Sequence, residues 1–178
     1  GPGSAGEALV AHPDVDAITF TGESSTGKAI MAAASRTLKR VSFELGGKNP
    51  ALVFADCDLD AAVAGTLRSV FSNCGQICLC TERIYVERAI FPEFAARVAA
   101  GARALRLGDP YAADTEMGPL ISAAHRDKVE GYLALARSEG AQTLCGGGRA
   151  EVAGFDGGYW LQPTVWTGLG DDARCCRE

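Results

Sequence analysis

The sequence lacks several features, and each absence restricts what the protein can be. No apolar run approaches the roughly 18 residues that a membrane-spanning helix needs. The net charge of −5 comes from interspersed charges without a basic run, so we expect neither nucleic acid nor a membrane as a partner. Histidine is scarce, and neither His12 nor His125 has a metal-ligand spacing to any cysteine. No metal site is predicted.

Cysteine, in contrast, is frequent, with seven residues in a chain of 178. An odd number cannot all pair within the chain and no signal peptide is recognisable, so we expect reduced thiols and a cytoplasmic location. The 47% apolar and 22% charged content is typical of globular proteins. Residues 1–4 fit either a protease-cleavage scar or a turn before a helix.

Three of the thiols, Cys74, Cys78 and Cys80, surround a polar Gly-Gln turn between a helical pattern and a strand-like segment. Their spacing fits no common zinc or iron–sulfur pattern. A thiol at such a turn can be held rigidly and still face a cleft, which favours Cys78 as a nucleophile. The alternative that all three are packing residues stays open, because cysteine is among the most buried residue types.

The order of the first elements predicts a βαβ unit. A buried strand over residues 15–20 is followed by a helix over 24–36, with Ser24 and Ser25 as candidate N-caps, and by a strand over 40–45. We therefore expect a parallel sheet whose ligand side lies at the strand carboxyl ends, near Gly22 and Glu44.

The remaining sequence continues the alternation of strands and helices and predicts an α/β fold. Strands are predicted over 51–54, 83–86, 143–144 and 159–166, and helices over 59–71, 91–105 and 122–139, with Asp58, Pro92 and Ser122 at helix starts. The last residues, 174–178, are predicted to form no structural element.

The segment from Gly22 to Ala29 is one residue short of a phosphate-cradling loop of nucleoside triphosphatases. It reads G-x4-G-K-A, and Ala29 stands where that loop needs a serine or threonine to ligate magnesium. A nucleotide hydrolase therefore remains as an alternative. A glycine turn before a helix would also accept the pyrophosphate of a dinucleotide, through free N–H groups and the helix dipole.

Three further stretches carry a family resemblance. They are Phe20-Thr21-Gly22-x4-Gly27, Phe43-Glu44-Leu45-Gly46-Gly47-Lys48-Asn49-Pro50 and Asn73-x-Gly75-Gln76-x-Cys78-x3-Glu82-Arg83. Two shorter stretches continue the likeness, Gly108-Asp109-Pro110 and Met117-Gly118-Pro119. In this order they resemble the NAD(P)-dependent aldehyde dehydrogenase superfamily, and most of all its 2-hydroxymuconic and 2-aminomuconic semialdehyde dehydrogenases. The resemblance implies the end of a Rossmann-type NAD-binding domain over residues 1–46 and a truncated α/β catalytic domain over 47–178.

The resemblance also implies roles for individual residues. Cys78 would attack the aldehyde, hydride would pass to the nicotinamide, and Glu44 would activate the water that hydrolyses the thioester. The pyrophosphate of NAD would lie by Gly22, Glu23, Ser24 and Gly27, and its nicotinamide would lie by Leu45 and Gly46. NADP is left open as the alternative cofactor. Position 23 is usually serine in the family, so its side-chain contact with phosphate is in doubt here.

By the same resemblance, the chain is an internal segment of an enzyme that would be a homodimer or homotetramer. The family's adenosine-ribose contacts, its oxyanion-hole asparagine and its oligomerisation strands would lie outside the chain. The isolated segment would then have an incomplete site. A non-catalytic structural relative is the third interpretation, and the presence of both Cys78 and Glu44 counts against it.

Overall fold

The computed structural model describes residues 3–178. The cleavage-scar interpretation of the first four residues depends on residues 1 and 2, which lie outside the described range. The chain divides into two compact units, one ending at Gly47 and one comprising Lys48–Glu178. Within residues 3–178, no helix is both long and apolar enough to cross a membrane, and no cluster of side chains suits a metal ion.

The first unit is the predicted βαβ unit preceded by a helix. Its elements are α1 (Gly3–Ala11), β1 (Ala17–Gly22), α2 (Ser24–Ala34), a 3₁₀ turn (Ser35–Thr37) and β2 (Arg40–Leu45). β1 and β2 are parallel and pair from Ala17 with Arg40 to Gly22 with Leu45. Both strands therefore end at the same edge, as expected for a crossover through one helix.

Two details of this unit differ from the sequence prediction. The N-cap of α2 is Glu23, whose backbone is extended, so Ser24 and Ser25 lie inside the first turn and the prediction that they cap it is wrong. The helix also ends at Ala34 instead of continuing to Arg36. There the chain tightens into the 3₁₀ turn, and Leu38 takes a left-handed conformation with φ of 54°, which stops helical propagation.

The second unit places helices against two short sheets. Its elements are β3 (Asn49–Val53), α3 (Leu59–Phe71), β4 (Thr81–Val86), α4 (Phe91–Ala104), α5 (Ala123–Ser138), β5 (Gln142–Cys145), β6 (Val165–Thr167) and α6 (Arg174–Arg177). β3 and β4 are parallel, whereas β5 and β6 are antiparallel. The predicted caps are confirmed, because Asp58 Oδ1 accepts from Ala61 N at 3.1 Å and Ser122 Oγ accepts from His125 N at 3.1 Å.

The core of the second unit lies between α3, α4 and the strands. One group of buried side chains brings β3 and α3 onto α4: Val53, Val63, Phe94 and Val98. A second group of buried side chains joins the end of α3 to α4 and β5: Phe71, Ala99, Ala102, Met117 and Cys145. The end of α3 is thus fixed in the core, immediately before the cysteine-rich turn.

Two predictions for the end of the chain are wrong. The strand expected over residues 159–166 is reduced to Val165–Thr167, because Pro163 has no N–H for a ladder and Trp160 and Leu161 are buried instead. The last residues were expected to form no element, yet Arg174–Arg177 form one helical turn, closed by an ion pair between Arg174 and Glu178 at 2.8 Å.

Candidate active site

The three central thiols have different environments in the structure. Cys80 is buried, with 3% of its surface exposed, and Cys74 is half-buried, whereas Cys78 is exposed. All three follow α3, where Ser72–Gly75 form a 3₁₀ turn and the chain then turns into β4. The packing interpretation therefore suits Cys74 and Cys80, and Cys78 is the exposed residue of the three.

Cys74 and Cys80 also have hydrogen-bond partners. The Cys74 thiol donates to the Gly118 carbonyl at 3.2 Å, and the Cys80 thiol donates to the Ser72 carbonyl at 3.5 Å. Burial is the main cause that raises the pKa of the Cys74 thiol above its ordinary value. A thiol that keeps its proton is a poor nucleophile, so the environment of Cys74 favours a structural role.

The backbone before Cys78 is strained. Asn73 and Cys74 have positive φ angles of 49° and 59°, in the left-handed region that side chains with a Cβ rarely adopt, and Gly75 follows at 73°. The Gln76 amide stabilises this turn from two sides. Its Nε2 donates to the Asn73 carbonyl, and its Oε1 accepts from Ile121 N, both at 3.2 Å. Gln76 thus ties the turn to the segment that follows Met117.

The end of the turn is held by residues from the other recognised motif. Asn49 Nδ2 donates to the carbonyls of Cys78 at 2.5 Å and Cys80 at 2.9 Å. Lys48 pairs with Glu82 at 2.7 Å, and the Arg83 guanidinium donates twice to the Lys48 carbonyl, at 2.9 and 3.1 Å. Two motifs distant in sequence therefore meet at the base of the Cys78 turn.

Asn49, Gln76 and Arg83 belong to the motifs that carry the family resemblance, but the sequence alone assigns them no role. The contacts by which they hold this turn are with main-chain carbonyls and N–H groups, which any sequence supplies, so no pairing pattern marks them. The one available signal was that polar residues flank a cysteine in a turn, which needs side-chain partners to be ordered.

The first unit brings together most of the predicted cofactor residues. Gly22 pairs in register with Leu45, and Glu23 and Ser24 begin α2 directly after β1. Gly27 is buried, and a Cβ there would lie 3.0 Å from the Leu45 side chain, so this glycine lets α2 approach β2 closely. Gly46 follows β2 and is exposed.

Glu44 occupies the penultimate position of β2, opposite Thr21, and is exposed. It belongs to the first unit, whereas Cys78 belongs to the second. The partnership of Glu44 with Cys78 stays a prediction.

The start of α2 suits an anionic group. The Glu23 side chain makes no capping hydrogen bond, so the first N–H groups of the 11-residue helix are not satisfied by their N-cap side chain. A phosphate could therefore bind through main-chain N–H groups alone. The Glu23 carboxylate, in contrast, would repel a phosphate if the carboxylate turned toward it.

Comparison with known proteins gives one consistent result. The model of the aldehyde dehydrogenase family matches residues 1–178. The chain is 58% identical to 2-hydroxymuconic semialdehyde dehydrogenase from Pseudomonas sp. (strain CF600), with 100% of this chain and 37% of the relative covered. It is 55% identical to 2-aminomuconic 6-semialdehyde dehydrogenase from Pseudomonas sp., over 100% of this chain and 36% of that protein.

Solved structures agree with these relatives. Betaine aldehyde dehydrogenase from Staphylococcus aureus, in complex with NAD⁺, matches with a TM-score of 0.96 and 37% identity, over 100% of this chain and 35% of that one. An NAD⁺ complex of aldehyde dehydrogenase from Bacillus cereus matches with a TM-score of 0.94 and 36% identity, over 100% of this chain and 36% of that one. The chain thus spans little more than a third of the length of the proteins it matches.

Proposed function

The chain belongs to the aldehyde dehydrogenase family, and from this membership we propose that it forms part of an enzyme that oxidises an aldehyde to its carboxylic acid with NAD. The proposed substrate is a muconic semialdehyde, because the relatives at 58% and 55% identity carry that name. Since the chain spans 37% of the first of them, we propose that it acts within an enzyme of their length, called the complete enzyme from here on.

The exposure of Cys78 is the observation that carries this proposal. Among the three central thiols, Cys78 is the exposed one, and it lies on a turn held by Asn49 and Gln76. In the proposed reaction its thiolate attacks the carbonyl carbon, and the carbonyl electron pair moves to oxygen. Among residues 3–178 the Cys78 N–H donates no hydrogen bond, which leaves it available to the developing oxyanion.

NAD, when bound, would supply a hydride acceptor. When the oxyanion re-forms its carbonyl, the carbon loses hydride and remains bonded to Cys78 Sγ as a thioester. Glu44, as general base, then takes a proton from the water that attacks this thioester, and Cys78 leaves as thiolate. The products are the carboxylic acid, the reduced dinucleotide and the proton that Glu44 then releases to water, so Cys78 and Glu44 are both regenerated in each turnover.

The first unit fits the proposed cofactor. The start of α2, with Gly22, Glu23, Ser24 and Gly27, would hold the pyrophosphate through main-chain N–H groups, and Leu45 with Gly46 would lie by the nicotinamide. We propose that residues 1–46 are the end of the NAD-binding domain and residues 47–178 part of the catalytic domain. The match over residues 1–178 favours this interpretation over a nucleotide hydrolase, for which Ala29 already lacks the magnesium ligand.

Replacing the nucleophile in the complete enzyme tests the proposal. Cys78→Ala should reduce the rate of NADH formation from 2-hydroxymuconic semialdehyde and NAD to background, because no other exposed thiol lies in this turn. Cys57→Ala, which removes a thiol packed beside the core, is the matched control and should retain the rate within about twofold. Turnover by Cys78→Ala at the control rate would contradict the proposed function.

A further inference from the structure

The turn that carries Cys78 has little side-chain burial to keep it in place. Leu79 is 81% exposed and Ile77 is 40% exposed, and the main chain between them closes only one hydrogen bond, from Cys80 N to the Ile77 carbonyl at 3.0 Å. A segment with so few buried contacts samples many conformations unless other groups fix it. The position of the Cys78 thiol therefore depends on what holds its main chain.

One side chain holds that main chain directly. Asn49 Nδ2 lies 2.5 Å from the Cys78 carbonyl oxygen and 2.9 Å from the Cys80 carbonyl oxygen, on either side of Leu79. Carbonyl oxygens only accept hydrogen bonds, and the amide nitrogen of asparagine has two protons to donate, so one side chain can satisfy both carbonyls. The two contacts fix the peptide that follows Cys78 and the residue that leads into β4.

Asn49 is itself firmly anchored. It is the first residue of β3 and pairs with Thr81, at a register irregularity before Pro50 pairs with Arg83. Its neighbour Lys48 is held by Glu82 through the side chain and by Arg83 through the carbonyl. The amide therefore projects from a strand of a sheet and not from a loop.

We propose that Asn49 is a positioning residue for Cys78, which acts by holding the carbonyls of Cys78 and Cys80 so that the thiol and the N–H of Cys78 keep a reactive arrangement. The inference rests on the proposed function, because it assigns Cys78 as the nucleophile. It adds a residue that touches neither aldehyde nor cofactor, and whose effect on the reaction passes through the main chain of the turn.

Substitutions at Asn49 separate positioning from packing. Aspartate has the shape of asparagine but places carboxylate oxygens against two carbonyl oxygens, whereas alanine merely removes the donors. Positioning therefore predicts that Asn49→Asp is the more damaging change. A packing role predicts the opposite order, because the isosteric aspartate would fill the space that alanine leaves empty.

The measurement is the rate of the first NADH burst when the complete enzyme is mixed with NAD and 2-hydroxymuconic semialdehyde. We expect about a tenfold lower rate for Asn49→Ala and about a hundredfold lower rate for Asn49→Asp, the scale of loss caused by misplacing a reacting group by about 1 Å. The KM for NAD should stay within about twofold of the wild-type value. Gln142→Glu, the same amide-to-carboxylate change at an exposed position of β5, should leave the burst unchanged.

Cys78→Ala, measured beside these variants, distinguishes the two proposals. If it retains the burst, the proposed function is wrong. If it abolishes the burst while Asn49→Ala and Asn49→Asp keep the wild-type rate, or if alanine is more damaging than aspartate, the positioning role alone is wrong. If Asn49→Asp fails to fold, Asn49→Gln replaces it, because glutamine keeps both donor protons. The Asn49→Gln enzyme should then show a faster NADH burst than the Asn49→Ala enzyme. Equal burst rates of these two variants would overturn the inference.

Discussion

At the scale of single residues, the three central cysteines show how the fold distinguishes identical side chains. The sequence places Cys74, Cys78 and Cys80 within seven residues and leaves each of them a candidate packing residue. The partners that separate them, such as the Gly118 carbonyl 44 residues beyond Cys74, are close only in three dimensions. The motif could therefore single out Cys78 by resemblance, but its exposure and its anchors required the structure.

Cys74 gives a prediction for the dependence of stability on pH. Burial raises the pKa of its thiol above the ordinary value of 9.0, so the folded protein holds this proton more tightly than the unfolded chain does. The corresponding stabilisation is fully present below pH 9.0, and it is lost as the pH rises through the higher pKa of the folded state.

Urea unfolding at a series of pH values, followed by circular dichroism, measures this loss. Cys74→Ser keeps a donor for the Gly118 carbonyl but does not titrate in this range, so its free energy of unfolding should fall less steeply above about pH 9 than that of the wild type. The thiols of Cys145 and Cys175 also have raised pKa values. Because both thiols are present in the wild type and in the variant, their contributions cancel in the comparison. Parallel pH profiles would show that Cys74 does not contribute.

At the scale of elements, the sequence predicted those segments whose ends carry a local chemical signal. α3 begins at Leu59 as predicted because Asp58 caps it, and the start of α5 follows Ser122 for the same reason. One prediction was wrong where burial overrides local preference, because Trp160 and Leu161 are buried without a strand. Another was wrong at the start of α2, where Glu23 has the extended N-cap conformation and Ser24 therefore lies within the helix.

The packing of α3 against α4 gives a prediction for two glycines. A Cβ at Gly101 of α4 would overlap the Leu67 side chain of α3, whereas a Cβ at Gly131 of α5 would have no atom within 4 Å. Gly101→Ala should therefore lower the free energy of unfolding by about 1 to 3 kcal/mol through overpacking. Gly131→Ala should raise it by about 0.5 to 1 kcal/mol, because alanine favours the helix.

Thermal and urea unfolding of both variants decide this point. Gly131→Ala is the matched control, since the chemical change is the same and only the surroundings differ. A stabilised Gly101→Ala would mean that Leu67 can move aside without cost, and that the close approach of the two helices does not depend on the glycine.

At the scale of the whole molecule, the proposed reaction uses residues from both compact units. Cys78 and its anchors belong to the unit that begins at Lys48, whereas Glu44 and the residues assigned to the cofactor belong to the unit that ends at Gly47. The ordered motifs of the sequence predicted the family and the α/β fold correctly. They could not give the residues that lie in the remaining length of the relatives, of which this chain spans 37% in the first.

Trapping the acyl intermediate tests the central claim, that Cys78 carries the substrate as a thioester which Glu44 helps to hydrolyse. In the complete enzyme, Glu44→Gln keeps the shape of the side chain but removes the base, so the reaction should stall after hydride transfer. Peptide mass spectrometry after mixing with NAD and 2-hydroxymuconic semialdehyde should then find about one acyl group per chain, on the peptide that contains Cys78. An acyl group on Cys74 or Cys80, or steady turnover at the wild-type rate without an adduct, would contradict the account.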